Sequence, residues 1–121
     1  MIESIESPVA SAVVRWRSPE GGGRKSGPPS APVYAANCSF PDALPENSAE
    51  SGAGSIYSIF IQKVHDLPDG QWLCNLDFIA KALVAKYLLP GSPMLVMEGP
   101  VDVVGDAVVV EVFSDRERRT P

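Results

Sequence analysis

Over residues 9–17 apolar and polar side chains alternate, with Ala12, Val14 and Trp16 on one side and Ser11, Arg15 and Arg17 on the other. That period of two predicts a strand with one wet face. A second short apolar run at 33–40 has strand length, and 56–64 is rich in β-branched and aromatic residues before Asp66, Pro68, Asp69 and Gly70 punctuate its end as a turn. Residues 72–78 alternate again, with Trp72, Cys74, Leu76 and Phe78 facing one way and Asn75 and Asp77 the other. From 79 to 89 the period changes: Ile79, Leu83 and Tyr87 with Ala82 form a helix-spaced stripe closed by Pro90-Gly91, which predicts one short helix. Two more strands flank a Glu98-Gly99-Pro100 turn, at 94–97 and 101–113, the last bent or split at Gly105-Asp106.

Between the first two strands, Pro19, Gly21, Gly22, Gly23, Gly27, Pro28 and Pro29 mark a loop with no element of its own. Residues 41–54 carry few large apolar side chains and are predicted to be an exposed, mobile insertion, and 114–121 a fraying charged tail. Strands at short spacing around a single helical segment predict one mainly-β domain over 1–121, a closed antiparallel barrel rather than a parallel α/β sheet.

Length adds that 121 residues close one core, and a composition 45% hydrophobic and 21% charged suits a folded domain. The 15 acidic residues outnumber 10 basic ones, and the formal charge of -5 works against binding a phosphate backbone unless cations gather on one face. Arg15, Arg17, Arg24 and Lys25, on the first strand and the loop after it, are the candidates for such a patch, against the alternative of a solvated strand face. The opening residues hold Glu3 and Glu6 with no basic residue, so no secretory signal is read and a cytoplasmic location is expected. No stretch reaches the roughly 20 apolar residues of a membrane-spanning helix, and no membrane role is expected.

Catalytic patterns are incomplete. Gly21-Gly22-Gly23-Arg24-Lys25-Ser26 resembles a phosphate loop, but Arg24 stands where the motif needs glycine, and Gly27-Pro28-Pro29 forbids the helix that would follow. No nucleotide is therefore expected. His65 is the sole histidine, at a predicted turn, and a nucleophile-base pair with Cys38 or Cys74 would require distant segments to meet. Three scattered thiol and imidazole groups fall short of a four-ligand zinc site, so neither metal nor cofactor is expected. Both cysteines read as free, buried thiols. Trp16 and Trp72 lie on apolar strand faces and read as core residues, and Pro28, Pro29 and Pro32 as a rigid loop.

Two blocks of the chain resemble the third domain of elongation factor Tu. The first runs from Glu20-Gly21-Gly22-Gly23-Arg24 through Tyr34 to Phe40. The second is Leu89-Pro90-Gly91, then Met94-Leu95-Val96-Met97-Glu98-Gly99, then Val103-Val104-Gly105 to Val110. The resemblance implies a six-stranded antiparallel closed β-barrel. In that family the barrel contacts the T stem of aminoacyl-tRNA and the exchange factor, and Arg24, Asn37 and Glu98 match positions that approach the RNA. Ala35 stands where the family carries an arginine, and a nucleotide-binding domain beside the barrel is not expected. The first expectation is thus a non-catalytic module that binds a protein partner through the loop end formed by residues 21–32 and 98–100. An RNA- or tRNA-related module using Arg15, Arg17, Arg24 and Lys25 is the second. A small hydrolase built on His65 and the cysteines is the third.

Overall fold

The computed structural model describes residues 4–25, 27–41, 56–99 and 102–113. The segments 41–54 and 114–121, apart from Pro41, and the Pro100-Val101 half of the expected turn lie outside the described residues. The alternating stretches form six strands: β1 (Ala10–Trp16), β2 (Tyr34–Ser39), β3 (Tyr57–Asp66), β4 (Gln71–Phe78), β5 (Pro93–Glu98) and β6 (Asp102–Val112). They close into a barrel in the order β1-β4-β3-β2-β5-β6, every neighbouring pair antiparallel. The mainly-β, closed six-stranded barrel anticipated from the pattern is the observed fold.

Alternation along each strand fills the interior, with Ala12 and Val14 of β1, Ile59 and Ile61 of β3, Cys74, Leu76 and Phe78 of β4, and Met94 and Val96 of β5 all buried. Three extra residues interrupt the alternation. Val64 has no partner between the pairs Lys63↔Cys74 and His65↔Leu73, Val104 falls between Gly105↔Val96 and Val103↔Met97, and Val110 falls between Val109↔Ala12 and Glu111↔Ser11. These β-bulges bend the strands around a narrow barrel. The last strand is therefore one element bent beside its glycine. Gly105 packs closely on the indole, since a Cβ there would lie 3.2 Å from Trp16 Cε3 and the ring would have to give by a few tenths of an ångström.

The seams are unequal. Whereas β1 is zipped to β6 from Ala10 to Trp16, β2 meets β5 only at Asn37↔Met97, Cys38↔Val96 and Ser39↔Leu95. Among the described residues, Tyr34, Ala35 and Ala36 have ladder partners on the β3 side alone.

One mouth of the barrel is closed by the predicted helical segment, in a shortened form. A single turn, α1 (Lys81–Val84), runs into a 3-10 turn at Ala85–Tyr87, with no side-chain cap at Ala80 and extended backbone at Leu88. The expected apolar stripe is corrected here: Ile79 and Leu83 are 68% and 60% exposed, while Val84 and Leu88 are buried. One turn can present only its barrel-facing residues to the core, and Ile79 precedes it. Tyr87 stacks on Phe40 at 5.3 Å, and Phe40 also meets Tyr57 and Phe78, so that this mouth is sealed by aromatic rings. At the other mouth Trp16 meets Tyr34 and Trp72 edge to face, with centroids 5.6 and 5.2 Å apart. Trp72 is half-buried and packs against the core, as does Trp16, whose indole Nε1 is buried without an acceptor among the described residues.

Among the described residues no helix is long and apolar enough to cross a membrane.

Candidate functional site

The mouth lined by Trp16, Tyr34 and Trp72 also gathers the polar residues singled out in the sequence. β1 delivers the chain into the glycine-rich loop, where Ser18 caps a short turn at Pro19–Gly21 by accepting from the Gly21 N–H. Gly22 then takes φ 95°, a left-handed conformation that glycine adopts without steric penalty. Gly23 packs so closely on the preceding chain that a Cβ would fall 1.9 Å from the Arg17 carbonyl oxygen. The glycines thus serve a tight reversal, which accounts for them without a phosphate.

That reversal aims Arg24 back across the mouth. Its Nε donates to Glu98 Oε2 at 2.7 Å, its Nη1 donates to the Gly27 carbonyl at 2.6 Å, and its guanidinium lies 5.4 Å from the Tyr34 ring centroid. The Tyr34 hydroxyl donates to the same Glu98 oxygen. Beside it, Asn37 Nδ2 donates to the Gly99 carbonyl at 3.2 Å. These bonds bridge β2 to the end of β5, where the backbone ladder is missing. Side chains complete the seam that the strands leave short.

The electrostatics follow from the geometry. The Tyr34 hydrogen bond holds the Glu98 carboxyl below its ordinary range, opposed by partial desolvation and reinforced by Arg24. Burial, and then the hydrogen bond to Glu98, push the Tyr34 hydroxyl above its usual value, and Glu98 likewise raises Arg24. Glu98 is therefore an acceptor locked in its charged form. It is not poised to exchange protons near neutrality.

A cleft of about 520 Å³ opens beside this network, lined by Gly22, Gly23, Arg24, Lys25, Glu98 and Asp102 among others. Lys25 is exposed at its edge. A second depression of about 430 Å³ runs over the outer side of the short seam, past Ala35, Asn37, Ser58, Phe60 and Ile79.

Of the sequence-derived residues, Arg24 and Glu98 pair at this mouth, while Asn37 lies on the outer side of the seam next to Glu98, bonded to the Gly99 carbonyl. The four cations named as a patch are divided. Arg17 makes a two-pronged pair with Asp106, its Nε and Nη2 each 2.9 Å from a carboxylate oxygen, and Arg15 stands in register with the same Asp106. Hydrogen bonding to Arg17 holds the Asp106 carboxyl low against desolvation, with Arg15 adding to the effect. Arg24 and Lys25 both line the cleft, Arg24 paired with Glu98 and Lys25 exposed.

His65 lies in β3 just beyond the Val64 bulge, rather than in a turn, with Nδ1 3.2 Å from the Asp66 carbonyl oxygen. It is exposed in register with Leu73, whereas Cys38 and Cys74 are free and buried inside the barrel. Burial pushes both thiols up to about 12, with Lys63 opposing the shift at Cys74. The imidazole and thiols do not meet. Among the described residues no group of His, Cys, Asp and Glu side chains could hold a metal ion.

Sequence reasoning missed Tyr34 as the partner of Glu98 and Asp106 as the partner of Arg17. Neither spacing carries a signal, because 64 and 89 residues separate the partners. No protein-family model, curated protein or solved structure matches the chain.

Proposed function

We propose that this barrel is a non-catalytic interaction module whose loop end takes a protein partner, with the cleft beside Arg24 and Glu98 as the contact region. The observation that carries this reading is the bracing of the cleft rim: Arg24, Tyr34 and Glu98 hold the glycine-rich loop against β5, while Lys25 is left exposed at its edge. A rim held in one conformation loses little entropy when it binds. The buried, protonated thiols and the lone outward His65 argue against the hydrolase reading. The likeness to the third domain of elongation factor Tu belongs to the same proposal, as does a cytoplasmic location, and the likeness bears on shape before role.

Arg24 and Lys25 facing one cleft favour tRNA or RNA as the second reading. It ranks lower because Arg17 and Arg24 are neutralised by carboxylates and the total charge is -5. A photo-crosslinking residue at Lys25, with a control at Lys86 beside the opposite mouth, tests the proposal in a cell extract. A discrete protein adduct from position 25 alone is expected. In parallel, bulk tRNA titrated at two salt concentrations is expected to bind with a Kd of about 10⁻⁴ to 10⁻⁶ M at physiological salt. Nanomolar tRNA binding that an Arg24→Ala, Lys25→Ala variant abolishes would overturn the ranking in favour of RNA.

A further inference from the structure

Toward the loop end, beyond the Val104 bulge, the paired ends of β5 and β6 stand apart from the barrel wall. The β1 ladder follows β6 only as far as Trp16↔Gly105, and the last backbone bond on that side runs from the Arg17 N–H to the Val104 carbonyl at 2.9 Å. On the other side the β2 ladder follows β5 only as far as Asn37↔Met97. Among the described residues, the pairs Met97↔Val103 and Glu98↔Asp102 are therefore tied to each other and meet the rest of the barrel through a single ladder position.

The direction of the backbone at that position follows from its neighbours. The Ile79 N–H donates to the Ser58 carbonyl at 3.4 Å, so Ser58 turns its backbone groups toward β4, and its register partner Asn37 turns its own toward β5. Asn37 and Met97 thus exchange the last two backbone hydrogen bonds of the short seam. Beyond them the polar ties are side-chain bonds, from Arg24 and Tyr34 to Glu98 and from Asn37 to the Gly99 carbonyl. The register shift between Val96 and Met97 lies at the base of this projection, where the bulge already interrupts the ladder and bends the strands.

We propose that these paired strand ends are a hinged strap, with the Val104 bulge as its hinge and Glu98 as its latch, and that the loop end has a latched and a released form. Latched, the strap is the wall between the two depressions: Glu98, Asp102 and Val104 line the one of about 520 Å³, and Met97, Glu98 and Gly99 line the one of about 430 Å³. Released, it gives up the Asn37–Met97 bonds and the bonds to Glu98 and Gly99, uncovers Met97, which is only 7% exposed, and joins the two depressions into one surface. Those losses make the latched form the resting one. Release leaves the β1–β6 and β3–β4 ladders intact, which makes it a smaller step than unfolding. The strap is a property of the barrel alone and does not depend on what the loop end binds, but a partner that fits one form better than the other shifts the balance between them.

Amide hydrogen exchange of the full chain, followed by NMR at a series of low denaturant concentrations, reads the release. In the parent, the Asn37 and Met97 N–H groups should exchange at least about tenfold faster than those paired between β1 and β6, and with little dependence on denaturant, because release exposes little surface. Glu98→Gln should speed exchange at Asn37 and Met97 by about five- to thirtyfold, since the acceptor shared by Arg24 and Tyr34 loses its charge, and Tyr34→Phe should speed it by less. Exchange at Asn37 and Met97 with the rate and denaturant dependence of the β1–β6 amides overturns the proposal. So does a Glu98→Gln protein in which β1–β6 exchange quickens while that at Asn37 and Met97 does not.

Discussion

Replacing Glu98 with glutamine tests whether the loop end is held by a charge. The substitution keeps the size of the side chain and an oxygen for Tyr34 and Arg24, but removes the carboxylate that both now share. A hydrogen bond to a charged group contributes about 1.5–3 kcal/mol when well shielded. Here 42% of the Glu98 side chain and 24% of the Arg24 side chain remain exposed. Solvent screening lowers the expected loss to roughly 1–2 kcal/mol at neutral pH. For a domain of this size that is a fall in melting temperature of about 3–6 °C per kcal/mol.

The pH dependence supplies the sharper test. The carboxyl is held below its ordinary value of 4.5 in the folded state, so the stability it adds is fully present above that value. It is lost as pH falls through the lowered folded value. Chemical denaturation of parent and Glu98→Gln should therefore show a gap that is constant near neutrality and closes toward the acid end. Asp106, whose carboxyl is also held low, titrates in both proteins and cancels from the difference. A gap that stays the same at both ends of the pH range, or no gap at neutrality, would refute the reasoning.

Phe78, 1% exposed at the centre of the helix-side aromatic seal, should cost about 3–5 kcal/mol on truncation to alanine, and thermal melts should show Trp16→Ala to be milder, because Trp16 lies half-buried at the open mouth. Equal losses would contradict the assignment of the two mouths. Burial that pushes both thiols to about 12 predicts that Cys38 and Cys74 resist a thiol-specific dye in mildly alkaline buffer and react together once denaturant is added. Rapid labelling of either in the folded protein would count against the burial.

Strand identity was legible because burial of one face imposes a period of two, and Ala12-Val14 and Cys74-Leu76-Phe78 obey it in sequence and structure alike, whereas 94–97 is apolar throughout and was legible only as a short apolar run. The bulges were not. Val64, Val104 and Val110 are as β-prone as their neighbours, and only the partner strand reveals that each is one residue too many. The helical stripe misled for a related reason: spacing alone could not show that the helix stops after one turn, which turned the burial from Ile79 and Leu83 to Val84 and Leu88. At the candidate site the glycine-rich loop was visible as a reversal, but its partner was not. The resemblance named Arg24, Asn37 and Glu98, and the structure adds Tyr34 and the Gly99 carbonyl, which join them across the short seam.

That short seam has a consequence for how the chain assembles. β2, β3 and β4 are neighbours in both sequence and space, and β1 adds to the free edge of β4, so these four strands make one continuous sheet. The β5–β6 pair is the remaining wedge, and inserting it closes β1 to β6 and β2 to β5 together. Until Asp102–Val112 is synthesised, the edge of β1 that meets β6 stays open from Ala10 to Trp16, while its other edge can already pair with β4. Pairing across so much chain is slow, on the order of milliseconds to seconds for barrels of this kind. During synthesis one edge of β1 therefore keeps its backbone N–H and C=O groups unpaired until β6 is made.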